Sequence, residues 1–229
     1  MAKNQQPQQA SYLGPESVAS ISFLKTRELM FTWQQDDKIQ SKLITNEAAF
    51  LAFKEGHQQD TGWLPAGVLR VGSNARGEWV IYTAHAQVID IVTDKGEKLR
   101  VPIPATLFMG WGTRYYLWAL PNKKFNKKLL VFKAPFPNVY DNGRICWGSH
   151  KVPKASVNNI ERVWQMFFGT AFNEHIATKK CKSFPDNVLD LLGQLSQEGA
   201  TTFPYKELGK ADMVSVDLCI DRLLKYGAD

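Results

Sequence analysis

Cys146 and Asn138 are the two side chains of this sequence whose types and spacing suit one chemistry. A thiolate attacks an acyl group and gives a thioester, and a thioester can be passed to an amine. The tetrahedral intermediate of either step carries an oxyanion. A carboxamide N–H such as that of Asn138 is a suitable donor for it, and losing one such donor typically costs about 10²–10³ in rate. A plainer reading stands level with this one. A lone Cys is often one more small buried apolar residue.

The stretch around the pair, residues 134–148, is built to be rigid. Pro135, Phe136 and Pro137 bias the chain toward extended or turn geometry. Tyr140 leads into Asp141-Asn142-Gly143, a turn signal, because Asn and Gly tolerate positive φ. Ile145 and Trp147 flank Cys146 with apolar bulk. Two histidines stand within reach in sequence. His175, in Phe172-Asn173-Glu174-His175, suits a base or orienter for Cys146 or for an incoming amine, or else a ring satisfied by nearby backbone. His150 is the second, weaker candidate. Cys146 and His150 also suit a pair of metal ligands, but no second pair completes a site, so no metal and no cofactor is expected.

Phe136-Pro137-Asn138, followed by Val139-Tyr140-Asp141-Asn142-Gly143-Arg144-Ile145-Cys146, resembles the active-site signature of ubiquitin-conjugating enzymes. Those enzymes read His-Pro-Asn, then Ile or Val, a short turn with Gly, and Ile or Val before the catalytic Cys. Phe136 departs from that pattern, which has His. Residues 62–70 (Gly-Trp-Leu-Pro-Ala-Gly-Val-Leu-Arg) and 167–175 (Phe-Phe-Gly-Thr-Ala-Phe-Asn-Glu-His) look closer still to one bacterial branch. That branch is the prokaryotic ubiquitin-conjugating-like family D, the PRTRC system protein B family, and the resemblance covers residues 60–200 or so.

The resemblance implies a chemistry and a set of partners. A ThiF-like adenylating enzyme would hand a ubiquitin-like protein to Cys146 as a thioester, and the acyl group would go to an amine. Asn138 would support the oxyanion, and Tyr140, Asp141 and His175 would shape the pocket. A free Lys has a pKa near ~10.4, so deprotonating it at pH 7 costs on the order of 4–5 kcal/mol, and a desolvated pocket must supply much of that. The family's cassettes lie on plasmids and integrative elements beside ParB-related and ThiF-related proteins, which suggests plasmid maintenance or antiviral defence. A metalloprotease of the same cassette is a further implied partner. Two other functions compete. One is a non-catalytic scaffold that binds the ubiquitin-like protein or DNA machinery, to which Phe136 in place of His lends weight. The other is a Cys/His hydrolase built on Cys146 and His175.

Composition bounds the classes. Apolar residues make up 44% and aromatic residues 12% of the 229, enough for a sizeable core. No apolar run approaches the ~20 residues that span a bilayer, and the Gln- and Pro-rich start is no secretory signal, so a cytoplasmic protein without a membrane partner is expected. Cys146, Cys181 and Cys219 contain no CxxC pair, which argues against a disulfide framework and a structural zinc site. Cys219 falls on an apolar stripe, and Cys181 lies in a Lys-rich loop. Net charge is +6, with Lys clusters at 123–128 and 179–182 and an acidic balance after 183. Such clusters suit solvated faces, an acidic protein partner or nucleic acid. The last is the weakest, since neither is interleaved with exposed aromatics.

The elements that must position the site read as α+β. The expected plan is an antiparallel meander sheet with packed helices, a ubiquitin-conjugating-enzyme-like core with an N-terminal strand/helix extension and C-terminal helices. Residues 1–17 read as a flexible tail and 18–60 as the extension. Residues 61–229 read as the core with its C-terminal helices. Strands are expected at 21–24, 29–33, 38–44, 78–83, 87–92, 99–103, 107–109, 114–120 and 129–134. The last delivers the chain into the Cys146 loop. Asn46 reads as the cap of a helix over 47–54. Asn158 with Glu161 reads as a capping box before Ile160, Val163, Trp164, Phe167 and Phe168, a core stripe at helical spacing that Gly169 ends. Two more helices are expected at 185–197 and 213–226.

Overall fold

The computed structural model describes residues 18–55, 61–74 and 77–227. The tail expected over 1–17 lies outside the described residues. The chain divides into two compact units, Met1–Asp60 and Thr61–Asp229.

In the first unit, β1 (Ala19–Phe23), β2 (Leu29–Gln35) and β3 (Lys38–Ile44) form an antiparallel sheet in that order. Gln35 pairs with Lys38 across a two-residue turn. Asp36 and Asp37 both take positive φ there (48° and 57°), the twist that suits a tight hairpin. Helix α1 (Asn46–Glu55) follows. Its cap is Thr45 rather than the expected Asn46: the Thr45 hydroxyl accepts from the Ala48 N–H at 3.0 Å.

The second unit carries the site. Its strands are β4 (Val68–Asn74), β5 (Gly77–Ala84), β6 (Gln87–Thr93), β7 (Lys98–Ile103), β8 (Thr106–Trp111), β9 (Arg114–Ala119), β10 (Leu130–Lys133), β11 (Ala171–Phe172) and β12 (Lys210–Ser215). Its helices are α2 (Ile160–Gly169), α3 (Val188–Gln197) and α4 (Val216–Tyr226). The main sheet has the order β12-β10-β9-β8-β5-β4 and its pairings are antiparallel. The expected meander is there, with two changes. The hairpin β6–β7 leaves it and forms a second sheet, in which β11 pairs with β6 in parallel. And β4, whose sequence has no strong period, joins as an edge strand. Only half-buried residues such as Val68 and Val71 pack inward from it, so little alternation is imposed on its sequence.

Alternation is clean in the centre of the sheet. Tyr82, Phe108, Tyr115 and Leu117 face α2, while Ile81, Leu107, Met109, Tyr116 and Trp118 face the layer that holds α4. Helix α2 buries the stripe read from the sequence, Ile160, Val163, Trp164, Phe167 and Phe168. Fully burying such side chains stabilises by about 1.5–3 kcal/mol each. The Trp164 indole N–H donates to the Thr106 hydroxyl at 3.0 Å, so its one polar atom is satisfied inside the core. The expected Asn158–Glu161 capping box does not form. Asn159 stands at the cap, and its side chain instead accepts from the Ser156 N–H and donates to the Lys154 carbonyl. At the C-terminal end, residues 213–215 belong to β12 rather than to the expected helix. Helix α4 starts after Ser215, whose hydroxyl accepts from the Leu218 N–H at 3.3 Å. No helix among the described residues is long and apolar enough to cross a membrane.

Candidate active site

The site begins where β10 ends. Ala134, Pro135, Phe136 and Pro137 are all buried, so the loop enters through the core rather than over it. Phe136 is 0% exposed. Its ring lies 5.1 Å from that of Phe168, 6.3 Å from Phe167 and 6.4 Å from Phe172, centroid to centroid. These are edge-on and offset aromatic contacts, each worth about 0.5–1.5 kcal/mol beyond area burial. Phe136 is the plug that fastens the loop to α2.

Asn138 follows in the left-handed region, φ 60°, which Asn adopts more readily than most residues. Two backbone bonds fix it. Its N–H donates to the His175 carbonyl at 3.0 Å, and its carbonyl accepts from the Cys146 N–H at 2.7 Å. The chain between Asn138 and Cys146 is a small hairpin. Val139 bridges to Ile145, the Tyr140 N–H donates to the Arg144 carbonyl at 2.8 Å, and the Gly143 N–H donates back to the Tyr140 carbonyl at 2.9 Å. Its returning arm lies along β9: the Ile145 N–H donates to the Tyr115 carbonyl and the Leu117 N–H to the Gly143 carbonyl, both at 2.8 Å. Gly143 has φ 87°, and a Cβ there would run into the Trp118 indole. The turn signal in the sequence is therefore also a close approach to β9.

These bonds open a cavity of about 180 Å3 lined by Asn138, Cys146, Trp147, His150, Thr170 and His175, among others. Cys146 is half-buried. His150 closes a turn, its N–H donating to the Trp147 carbonyl at 3.0 Å. His175 is exposed, and its backbone does the holding. Its N–H donates to the Asn173 side chain at 3.0 Å while its carbonyl holds Asn138. Among the described residues no hydrogen bond joins the Cys146 thiol to either imidazole. The segment bearing His175 is anchored by β11 on β6 and by the Asp94 N–H donating to the Phe172 carbonyl at 2.8 Å.

Tyr140 and Asp141 have separate tasks. The neighbouring Cys146 thiol pushes the exposed Tyr140 phenol above its ordinary pKa. Asp141 is drawn the other way. Its carboxylate pairs with Lys133 at 3.0 Å and with Lys180 at 3.1 Å. Burial pushes the Asp141 carboxyl up, but the two ammonium groups outweigh it and hold it below the usual range. Lys180 is 1% exposed, so the expected solvated face at 179–182 is turned partly inward. Burial lowers the Lys180 ammonium, and Asp141 only partly restores it. Lys133, Lys180, Trp118 and Thr170 had no signal in the sequence, since contact with the loop comes from distant elements. Cys181 is buried, its thiol donates to the Phe184 carbonyl at 3.2 Å, and burial pushes it above the ordinary thiol range. Among the described residues no group of three or more His, Cys, Asp or Glu gathers as metal ligands do.

A family model, Prokaryotic E2 family D, matches residues 40–211. The chain belongs to that family. A ubiquitin-conjugating-like role therefore holds at family level, in a bacterial setting, on an α+β fold with an antiparallel sheet. The family D match begins within β3 and ends in β12, so it takes in the whole Cys146 loop. Comparison with curated proteins and with solved structures returned no match. In this family D chain, the Phe136 ring is enclosed by those of Phe167, Phe168 and Phe172.

Proposed function

We propose that this protein accepts a ubiquitin-like protein on Cys146 as a thioester, from a ThiF-like adenylating enzyme, and passes it to an amine. The supporting observation is the convergence of Cys146 and Asn138 on one small cavity, joined through the Asn138 carbonyl, in a chain of family D. In the first step the Cys146 thiolate attacks the activated acyl carbon. A C–S bond forms and the adenylating enzyme's group (AMP or a thiolate) leaves. In the second an amine nitrogen attacks the same carbon. The C–N bond forms, the C–S bond breaks, the Cys146 thiolate returns, and the nitrogen's surplus proton passes to solvent or a nearby base. The Asn138 amide is the donor for the oxyanion of both steps, and the cavity wall of Trp147 and Thr170 limits water at the amine. The reaction needs a reduced thiol, which suits the cytoplasm. A metalloprotease of the same cassette would act on the ubiquitin-like protein before or after.

The test is a charging assay. The protein is mixed with the adenylating and ubiquitin-like partners and ATP, then run on a non-reducing gel with and without thiol reductant. A reductant-sensitive adduct that is absent in Cys146→Ala is the expected result. A charged adenylating partner with no adduct on this protein would overturn the reading, and a non-catalytic binding role would take its place.

A further inference from the structure

Alternate residues of the Cys146 hairpin point to opposite faces, and burial fixes which face is which. Val139 and Ile145 bridge each other and are 1% and 4% exposed, within the core that α2 covers. The residues beside them are paired by the same ladder. The Cys146 N–H donates to the Asn138 carbonyl at 2.7 Å, and the Tyr140 N–H donates to the Arg144 carbonyl at 2.8 Å. Asn138, Tyr140, Arg144 and Cys146 therefore share the other face. Alternate residues along a strand stand about 6–7 Å apart, so Arg144, with its long stem, is placed to meet whatever approaches the thiol.

The charges around that face are one-sided. Arg144 is exposed and enters no ion pair among the described residues. Asp141, the acidic residue of the hairpin, is already held by Lys133 and Lys180. No residue lining the Cys146 cavity carries a carboxylate, and its titratable side chains are Cys146, His150 and His175. Glu174, beside His175, pairs with Lys95 at 3.1 Å. An acceptor amine arrives as an ammonium, finds no carboxylate there to draw it in, and is repelled by the guanidinium. A carboxylate on the acceptor itself reverses that balance, because a free guanidinium is a strong, forked donor to one. We infer that Arg144 is a specificity-determining residue of the transfer: its guanidinium donates to a carboxylate on the acceptor and so selects an amine that stands beside an acidic group. The inference deepens the thioester reading and rests on it. The transfer itself is unchanged: the amine nitrogen bonds to the acyl carbon, the Cys146 thiolate leaves, and the surplus proton of the nitrogen passes to solvent or a nearby base.

The test reads charge preference in two ways. In the first, the thioester is discharged at low salt to short acetylated peptides with one lysine, flanked by Glu, by Gln or by Arg. Wild type is expected to prefer the Glu-flanked peptide over the Arg-flanked one by about threefold or more, the scale of an exposed ion pair, and to lose the preference at high salt. Arg144→Gln should abolish the preference, Arg144→Glu should reverse it, and Arg144→Lys should keep most of it. In the second, uncharged protein is treated with an anionic and a cationic methanethiosulfonate, and modification of Cys146 is followed by mass spectrometry. The anion-to-cation rate ratio is expected to fall in Arg144→Gln and to fall further in Arg144→Glu. The same peptide preference in wild type and Arg144→Gln, or a wild-type preference for the Arg-flanked peptide, would overturn the inference. So would a reagent ratio that Arg144→Gln leaves unmoved. If Arg144→Glu does not fold, Arg144→Gln and Arg144→Lys carry both comparisons. Failure of wild-type charging is a different outcome, which strikes the thioester reading and leaves the reagent ratio to report whether Arg144 acts at the thiol.

Discussion

The Asn138 N–H donates to the His175 carbonyl at 3.0 Å, so the main chain of His175 holds Asn138 in place. His175 suits a base by its type, and its main chain has this second task whatever the side chain does. His175→Ala is therefore expected to keep thioester formation within a few-fold of wild type, since any residue has the carbonyl. Asn138→Ala removes the proposed oxyanion donor and is expected to lower discharge by about 10²–10³. Single-turnover discharge of the two variants checks both. A collapse of His175→Ala to the level of Asn138→Ala would make the imidazole the base.

Phe136→His restores the residue that ubiquitin-conjugating enzymes carry, and it should harm this protein. The ring is packed among those of Phe167, Phe168 and Phe172, so an imidazole there would stand against aromatic carbon. An unsatisfied buried polar group costs about 1–3 kcal/mol. At ~2–4 °C per kcal/mol for a chain of this size, a Tm lower by several degrees is expected by calorimetry.

Gly143→Ala tests the close approach of the hairpin to β9. The substitution places a methyl group against Trp118 at φ 87°, so it adds steric overlap to a conformation that L-residues disfavour. A loss of about 2 kcal/mol or more in urea unfolding is expected. The hairpin must lift from Trp118, so indole fluorescence should change in the folded state as well. Gly143→Ala with wild-type stability would mean that the turn is free to move.

Tyr115 predicts an alkaline limb. Its hydroxyl donates to the Pro153 carbonyl at 2.8 Å, and burial raises its pKa to about 12 from an ordinary 10. With the folded value above the unfolded one, the unfolded chain loses this proton first. The stabilisation is complete below pH 10 and is lost as pH rises toward 12. At ~1.4 kcal/mol per unit this is on the order of 3 kcal/mol. Urea midpoints at pH 9 and pH 11 should differ, and Tyr115→Phe should flatten that difference.

Labelling by a thiol reagent should reach Cys146 well before Cys181. Cys146 lines an open cavity, while Cys181 is 5% exposed with its thiol bonded to the Phe184 carbonyl. Mass spectrometry after limiting alkylation of the native protein is expected to find Cys181 unmodified. Early modification of Cys181 would show that the 177–185 segment opens.

By itself the sequence determined much of this protein. The α2 stripe, most strands, the Asn138–Cys146 spacing and the Gly143 turn are local patterns, and local patterns follow from periodicity, proline and glycine geometry. The tertiary structure decided what depends on distant partners. It took β6 and β7 out of the meander, made an edge strand of the unpatterned 68–74 stretch, and gave Phe136 its aromatic cage. It also turned Lys180 inward onto Asp141. Each of these is a contact between residues far apart in the chain, where charge, burial and pairing are set by the neighbour and not by the residue. Lys180 read as solvated because a lysine alone belongs in water, and it is buried because Asp141 meets it there.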